Sequence, residues 1–174
     1  MPAVPVPQAK IQGLVDFLFN RDLTPETKTD PTDRYTYRFN GYTKLLDQDE
    51  RPGVKPPWGT LNAINLNTGR IAWKVPLGEY DELTRAGIPK TGTENFGGAM
   101  VTAGGLVFCA GTRDLKIRAF DSSNGEELWQ YKLPFGGFAP PATYEVNGRQ
   151  YITIGAGGGN GFTKSGDPFV TFAL

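Results

Sequence analysis

Ala63-Ile64-Asn65-Leu66-Asn67-Thr68-Gly69-Arg70-Ile71-Ala72-Trp73 and Ala119-Phe120-Asp121-Ser122-Ser123-Asn124-Gly125-Glu126-Glu127-Leu128-Trp129 are two copies of one pattern, 56 residues apart. Alanine, Asx, glycine and tryptophan fall at the same places in both, and Leu77 and Leu133 carry the register further. Each copy reads as strand, tight turn, strand, because short polar residues lead into a glycine able to take positive φ. An indole buries a large area and has one N–H to satisfy. Its recurrence at one position of a repeated unit predicts a belt in which each tryptophan docks on the neighbouring unit. Trp73 and Trp129 are therefore read as structural.

Working outward from the second copy, residues 99–103 and 106–111 are strand-like and are separated by Gly104-Gly105, a hairpin turn. Four short antiparallel strands in a row make one propeller blade. Downstream, residues 142–146, 150–154 and 169–173 read as three strands of a further blade, with Asn147-Gly148 as a turn. Upstream, Tyr35 to Phe39 alternates as a strand does, and residues 35–46 are expected to supply the outstanding strands of an earlier blade. The fold class expected for residues 35–174 is thus all-β: a partial β-propeller of about three four-stranded antiparallel blades, one full and two incomplete. Residues 1–34 read differently: a proline-rich extended start, a helix over 10–19 with Ile11, Leu14, Val15, Leu18 and Phe19 at helical spacing, and a charged connector.

Composition narrows the chemistry. The 174 residues hold 18 basic and 18 acidic side chains, so no charge excess calls for nucleic acid or an anionic membrane surface. The absence of histidine removes Ser-His-Asp and Cys-His catalysis and the usual zinc ligand sets. The single cysteine, Cys109, lies in the apolar run 106–110 and reads as a buried strand residue. No apolar run is long enough to span a membrane, and the N-terminus lacks the pattern of a signal peptide.

Two glycine-rich loops stand out. Gly155-Ala156-Gly157-Gly158-Gly159-Asn160-Gly161 precedes Lys164-Ser165, but Thr163 stands where a phosphate-binding loop needs glycine, and no βαβ pattern surrounds it. Such a backbone passes close to something flat or crowded. Thr91-Gly92-Thr93-Glu94-Asn95-Phe96-Gly97-Gly98 leads into a strand and suits either a ligand wall or a plain connection. Asp114 reads equally as a turn residue and as a site residue.

Several stretches resemble the pyrroloquinoline quinone (PQQ) dehydrogenases of the alcohol and membrane glucose type. They are Pro56-Pro57-Trp58-Gly59-Thr60-Leu61, both tryptophan repeats, Asn95-Phe96-Gly97-Gly98, Thr102 to Phe108, Gly111-Thr112-Arg113-Asp114, Arg118 to Asp121, Pro141 to Tyr144, and Gly157 through Asp167 to Leu174. The resemblance implies an eight-bladed propeller with PQQ and calcium near its axis and hydride transfer from an alcohol or aldose carbon. It implies a quinone-site wall made of Asn95, Phe96, Gly97, Gly98, Asp114, Gly158, Gly159 and Asn160, with Phe96 bordering the quinone and the loop at Gly158 to Gly161 closing the substrate cavity. Phe96 stands where family members often have tryptophan, and no histidine stands near Gly159. The family's catalytic aspartate, calcium ligands and quinone-contacting lysine belong to earlier blades. The expectation for this chain alone is therefore no catalytic residue, no metal ligand, and no turnover with PQQ and calcium.

The resemblance further implies a periplasmic location or the outer face of the cytoplasmic membrane. The partners it implies are the missing blades, a small sugar or alcohol substrate, and, through exposed blade faces and the strand 169–173, a second copy of the chain. A rival reading is a non-enzymatic propeller scaffold for protein–protein interaction, like the outer-membrane assembly proteins that share the repeat but lack the two loops. Met1-Pro2-Ala3-Val4-Pro5 followed by residues 14–18 is similar to the end of a c-type cytochrome; an ordinary amphipathic helix accounts for it equally well.

Overall fold

A computed structural model describes Gln12, Val15, residues 38–159, Gly161 and residues 163–173. The chain divides into two units, residues 1–43 and 44–174. In the first, Gln12 and Val15 are helical; the rest of the expected helix, the cytochrome-like start and the connector lie outside the described residues. Phe39 and Tyr42 meet edge to face at 5.3 Å.

The second unit holds β1 (Thr60–Asn65), β2 (Arg70–Pro76), the short helix α1 (Asp81–Arg85), β3 (Ala99–Val101), β4 (Leu106–Cys109), β5 (Lys116–Asp121), β6 (Glu127–Lys132), β7 (Ala142–Val146), β8 (Arg149–Gly155) and β9 (Phe169–Ala173). They form three antiparallel sheets: β1-β2, β3-β4-β5-β6 and β7-β8-β9. One complete blade stands between two incomplete ones, as the repeat requires.

The expected strands over residues 35–46 do not appear among the described residues. Residues 38–45 are exposed and unpaired as strands, and Leu46 makes one isolated bridge to Pro52. Alternation makes a strand only where one face is buried. Phe39 is 74% exposed and Tyr42 97%, so the alternation there has no core to face.

The repeat holds a feature that its letters do not spell. Ala63 faces Trp73 and Ile64 faces Ile71; Ala119 faces Trp129 and Phe120 faces Glu127. In both copies one residue before the tryptophan, Ala72 or Leu128, is left over as a bulge. A bulge re-aims the neighbouring side chain, here the indole. The turns match as well: Gly69 N–H donates to Asn65 O and Gly125 N–H to Asp121 O, both at 2.8 Å. The Asx carboxyl or amide oxygens accept from Asn67 N–H at 3.0 Å and Ser123 N–H at 2.7 Å.

The central strands β4 and β5 of blade two are buried on both faces, which is why β5 reads as a nearly continuous core run. Leu77, Val107, Cys109 and Phe120 pack with Leu61 and Val75 on the side of blade one. Ala110, Ile117, Leu133 and Ile154, with Phe108, Ala119 and Ile152, pack on the side of blade three. Burial pushes the Cys109 thiol up to about 11, so it is protonated at neutral pH.

The antiparallel order sorts the connections by length. The turns at 66–69, 102–105, 122–126 and 147–148 all fall at one end of the blades, and all are tight. The opposite end carries residues 77–98 with α1, 110–115, 133–141 and 156–168. Every long loop is there, and both glycine-rich loops are among them.

Candidate functional site

The loop before β3 is fixed by its backbone. Asn95 donates through Nδ2 to Ala110 O at 2.7 Å, Phe96 N–H donates to Gly111 O at 3.3 Å, and Asn95 pairs with Thr112 in an isolated bridge. Gly97 lies on Ala110 and Gly111, and Gly98 lies against Pro140; side chains at either glycine would collide. The chain is thus held flat while the Phe96 ring remains 55% exposed. A large aromatic on a rigid backbone at the loop end of the blades is what a flat ligand needs.

The second loop is pinned at its base. Gly158 N–H donates to Gly136 O at 2.8 Å and Gly166 N–H to Gly157 O at 2.7 Å, while Gly159 and Thr163 exchange backbone hydrogen bonds at 3.2 Å. Gly158 has φ +61°, and a side chain there would run into the Lys164 carbonyl. Thr163 Oγ1 is buried without a partner among the described residues. It lines a cavity of about 300 Å³ with Arg113, Phe135 and Lys164. Gly137, beside Gly136, packs against Ala110 and Ile154. Gly158 is thus tied to Gly136 through the backbone, and both the Asn95–Gly98 loop and Gly137 lie against Ala110. Asn160 lies outside the described residues.

Asp114 is placed differently from the other expected site residues. It is buried, with its side chain 1% exposed, beside Arg118, also 1% exposed, to which it is hydrogen-bonded through Arg118 Nη2. It also accepts from Thr112 Oγ1 at 2.5 Å, Glu79 N–H at 3.0 Å and Lys116 N–H at 3.2 Å. Lys116 Nζ reaches Glu79 at 2.6 Å, and Arg118 reaches Glu79 at 3.6 Å and Glu127 at 3.4 Å. Both oxygens of Asp114 are engaged within the protein, and the network joins the exit of blade one to blade two beneath Thr93, Thr112 and Asn95. Arg113 N–H donates to Thr93 Oγ1 at 3.1 Å, which ties the network to the Asn95 loop. The sequence reading did not pick out this network. Its signal was Arg118, a charge inside the buried run Ile117 to Phe120, four residues after an aspartate.

Burial would raise the pKa of Asp114, but the hydrogen bonds and charge of Arg118, with Thr112 and the Lys116 amide, outweigh it and hold the carboxyl below the ordinary range. A depressed carboxyl pKa stabilises the fold above the unfolded value of about 3.9, and the contribution is lost as pH falls through the folded value. Urea midpoints are expected to be flat above about pH 5 and to fall steeply below about pH 4. The acid slope is expected to be shallower in Asp114→Asn; equal slopes in the two proteins would refute the assignment.

Among the described residues no group of three or more His, Cys, Asp or Glu is placed to hold a metal ion.

Residues 10–152 match the PQQ family described as the glucose/ethanol/alcohol dehydrogenase β-propeller domain. The quinate/shikimate dehydrogenase (quinone) of Acinetobacter baylyi is 42% identical over 130 residues, covering 71% of this chain and 16% of that protein. The quinoprotein glucose dehydrogenase of Escherichia coli is 43% identical over 129 residues, again 71% of this chain and 16% of the relative. Among solved structures, the quinohemoprotein alcohol dehydrogenase of Comamonas testosteroni superposes with a TM-score of 0.52 at 28% identity, covering 72% of this chain and 18% of that one. The chain thus spans about one sixth of the length of these relatives.

Proposed function

Since the chain belongs to the PQQ-dependent dehydrogenase β-propeller family, we propose that it is the C-terminal propeller portion of a quinoprotein oxidising a sugar or alcohol, and that it supplies one wall of the quinone pocket. The observation that carries this is the half-exposed Phe96 ring, held on a backbone too tightly packed for side chains at Gly97 and Gly98. A bound quinone supplies two-electron acceptance from an alcohol carbon.

This chain's residues bind and orient. Phe96 offers an apolar face for stacking, and Gly97 and Gly98 allow close approach. The segment after Gly158 and Gly159 brings Thr163 and Lys164 to the cavity and limits water there, and Asp114 and Arg118 hold the Asn95 loop in place. The general base and the calcium ligands belong to the missing blades, which are its partners in this reading. The location is the periplasm or the outer face of the cytoplasmic membrane, as for a quinone-linked oxidation of external substrate.

The test is a chimera in which this chain replaces the matching segment of the E. coli glucose dehydrogenase. PQQ-dependent dye reduction is expected from the chimera and not from the 174-residue chain alone. Phe96→Ala in the chimera is expected to weaken PQQ binding about tenfold, the loss of one stacked face. A folded chimera that takes up no PQQ would favour a scaffold role instead.

A further inference from the structure

Each copy of the repeat carries a knob, its tryptophan, and a socket, its turn. At the junction of blades one and two a pair is engaged. Trp73 Nε1 donates to Ser122 O at 2.9 Å, and Gly125, at φ +78°, lies over the ring so closely that a Cβ would come within 2.6 Å of a ring carbon.

One knob and one socket are left over. Trp129 is 38% exposed and meets Phe172 edge to face at 5.1 Å, but among the described residues its N–H finds no acceptor. Beside it opens a groove of about 550 Å³ lined chiefly by Leu106, Phe108, Leu128, Trp129 and Phe172, with no ionisable side chain. The turn that would fill it by analogy with Ser122–Gly125 has no counterpart in the described residues of blade three, whose last strand is β9.

The spare socket is the turn Asn65–Gly69. It has the same Gly-to-Asx backbone bond as its engaged twin, and Gly69, at φ +66°, has nothing within 4 Å of its Cβ position. Around it, Leu66 is 91% exposed, Ile64 57% and Ile71 58%. The flanking charges also match. In the engaged pair, Glu126 follows the socket glycine and Arg70 precedes the knob by three residues; in the spare pair the two roles are exchanged, so the flanks are again of opposite sign.

We infer that the 174-residue chain associates head to tail, with Trp129 of one copy docking beneath the Asn65–Gly69 turn of the next and donating its indole N–H to the Leu66 carbonyl. Both surfaces are apolar and exposed, and each has within the same molecule a twin that shows what covers it. The contact is heterologous, so every copy added leaves one knob and one socket free; assembly ends only on ring closure.

Sedimentation velocity across the micromolar range tests this with Trp129→Ser and Leu66→Glu. Leu66 is 91% exposed, so its variant keeps the fold; circular dichroism checks both. The wild-type chain is expected to grow in mass with concentration, and each variant to lose at least tenfold in association constant. An equimolar mixture of the two variants holds one intact knob and one intact socket per pair, so it is expected to form heterodimers and to stop there. A monomeric wild type overturns the inference. So does a mixture that stays monomeric, or an association that survives Leu66→Glu but is abolished by Thr171→Pro at the β9 edge. The last result would identify symmetric strand pairing as the contact.

Discussion

Arg118→Met is expected to lower the unfolding free energy of the propeller unit by about 3–5 kcal/mol, because it leaves the buried Asp114 carboxylate without its cation. Arg118 and Asp114 are each 1% exposed, so water does not replace the lost partner. Arg118 also contacts Glu79 and Glu127, so its loss takes one cation from each of these carboxylates as well. The double variant Arg118→Met, Asp114→Leu is expected to recover much of the loss, since removing both charges removes the unpaired one. Urea midpoints of the two single variants and the double variant decide it. An Arg118→Met variant within about 1 kcal/mol of wild type would show that the buried pair and its contacts to Glu79 do not support the fold.

Trp73→Ala is expected to cost about 3–5 kcal/mol, the usual price of emptying a packed aromatic site. Trp129→Ala is expected to cost on the order of 1 kcal/mol, because its indole is already partly in water and its N–H finds no acceptor among the described residues. The sequence pattern points the other way: Trp129 lies in the complete blade and Trp73 at the margin, so Trp129 reads as the costlier loss. Docking reverses the order. The partner of each tryptophan is the following blade's turn, and among the described residues Trp73 alone has that turn in place. Denaturation at submicromolar protein keeps any association out of the comparison. Equal midpoints for the two variants would refute the docking account.

The blade order was legible because a 56-residue repeat with an Asx-to-glycine turn leaves few other ways to fold. The strands at 99–101, 106–109, 142–146 and 169–173 follow from alternation between turn residues. The two glycine loops were legible as places where backbone comes close to something, and they do fall at one end of adjacent blades. Other features depend on burial, which sequence alone does not give. Residues 38–45, part of the stretch expected to supply strands, are exposed and face no core. The bulges at Ala72 and Leu128 precede the docked and the undocked tryptophan alike, and a register shift of one residue leaves no mark in the letters. Asp114 looked like a turn residue or a ligand, and only the three-dimensional proximity of Arg118, Thr112 and two backbone amides shows where its oxygens point.

Cys109 gives the molecule a clock. Its thiol is sealed between blades one and two and is held protonated, so an alkylating reagent waits for the seam between those blades to part. The rate at which the chain gains one label therefore follows the openings that bring Cys109 to solvent. Because the chain has one cysteine, the count reads directly from intact mass, in dilute solution or in an assembly, without any engineered probe.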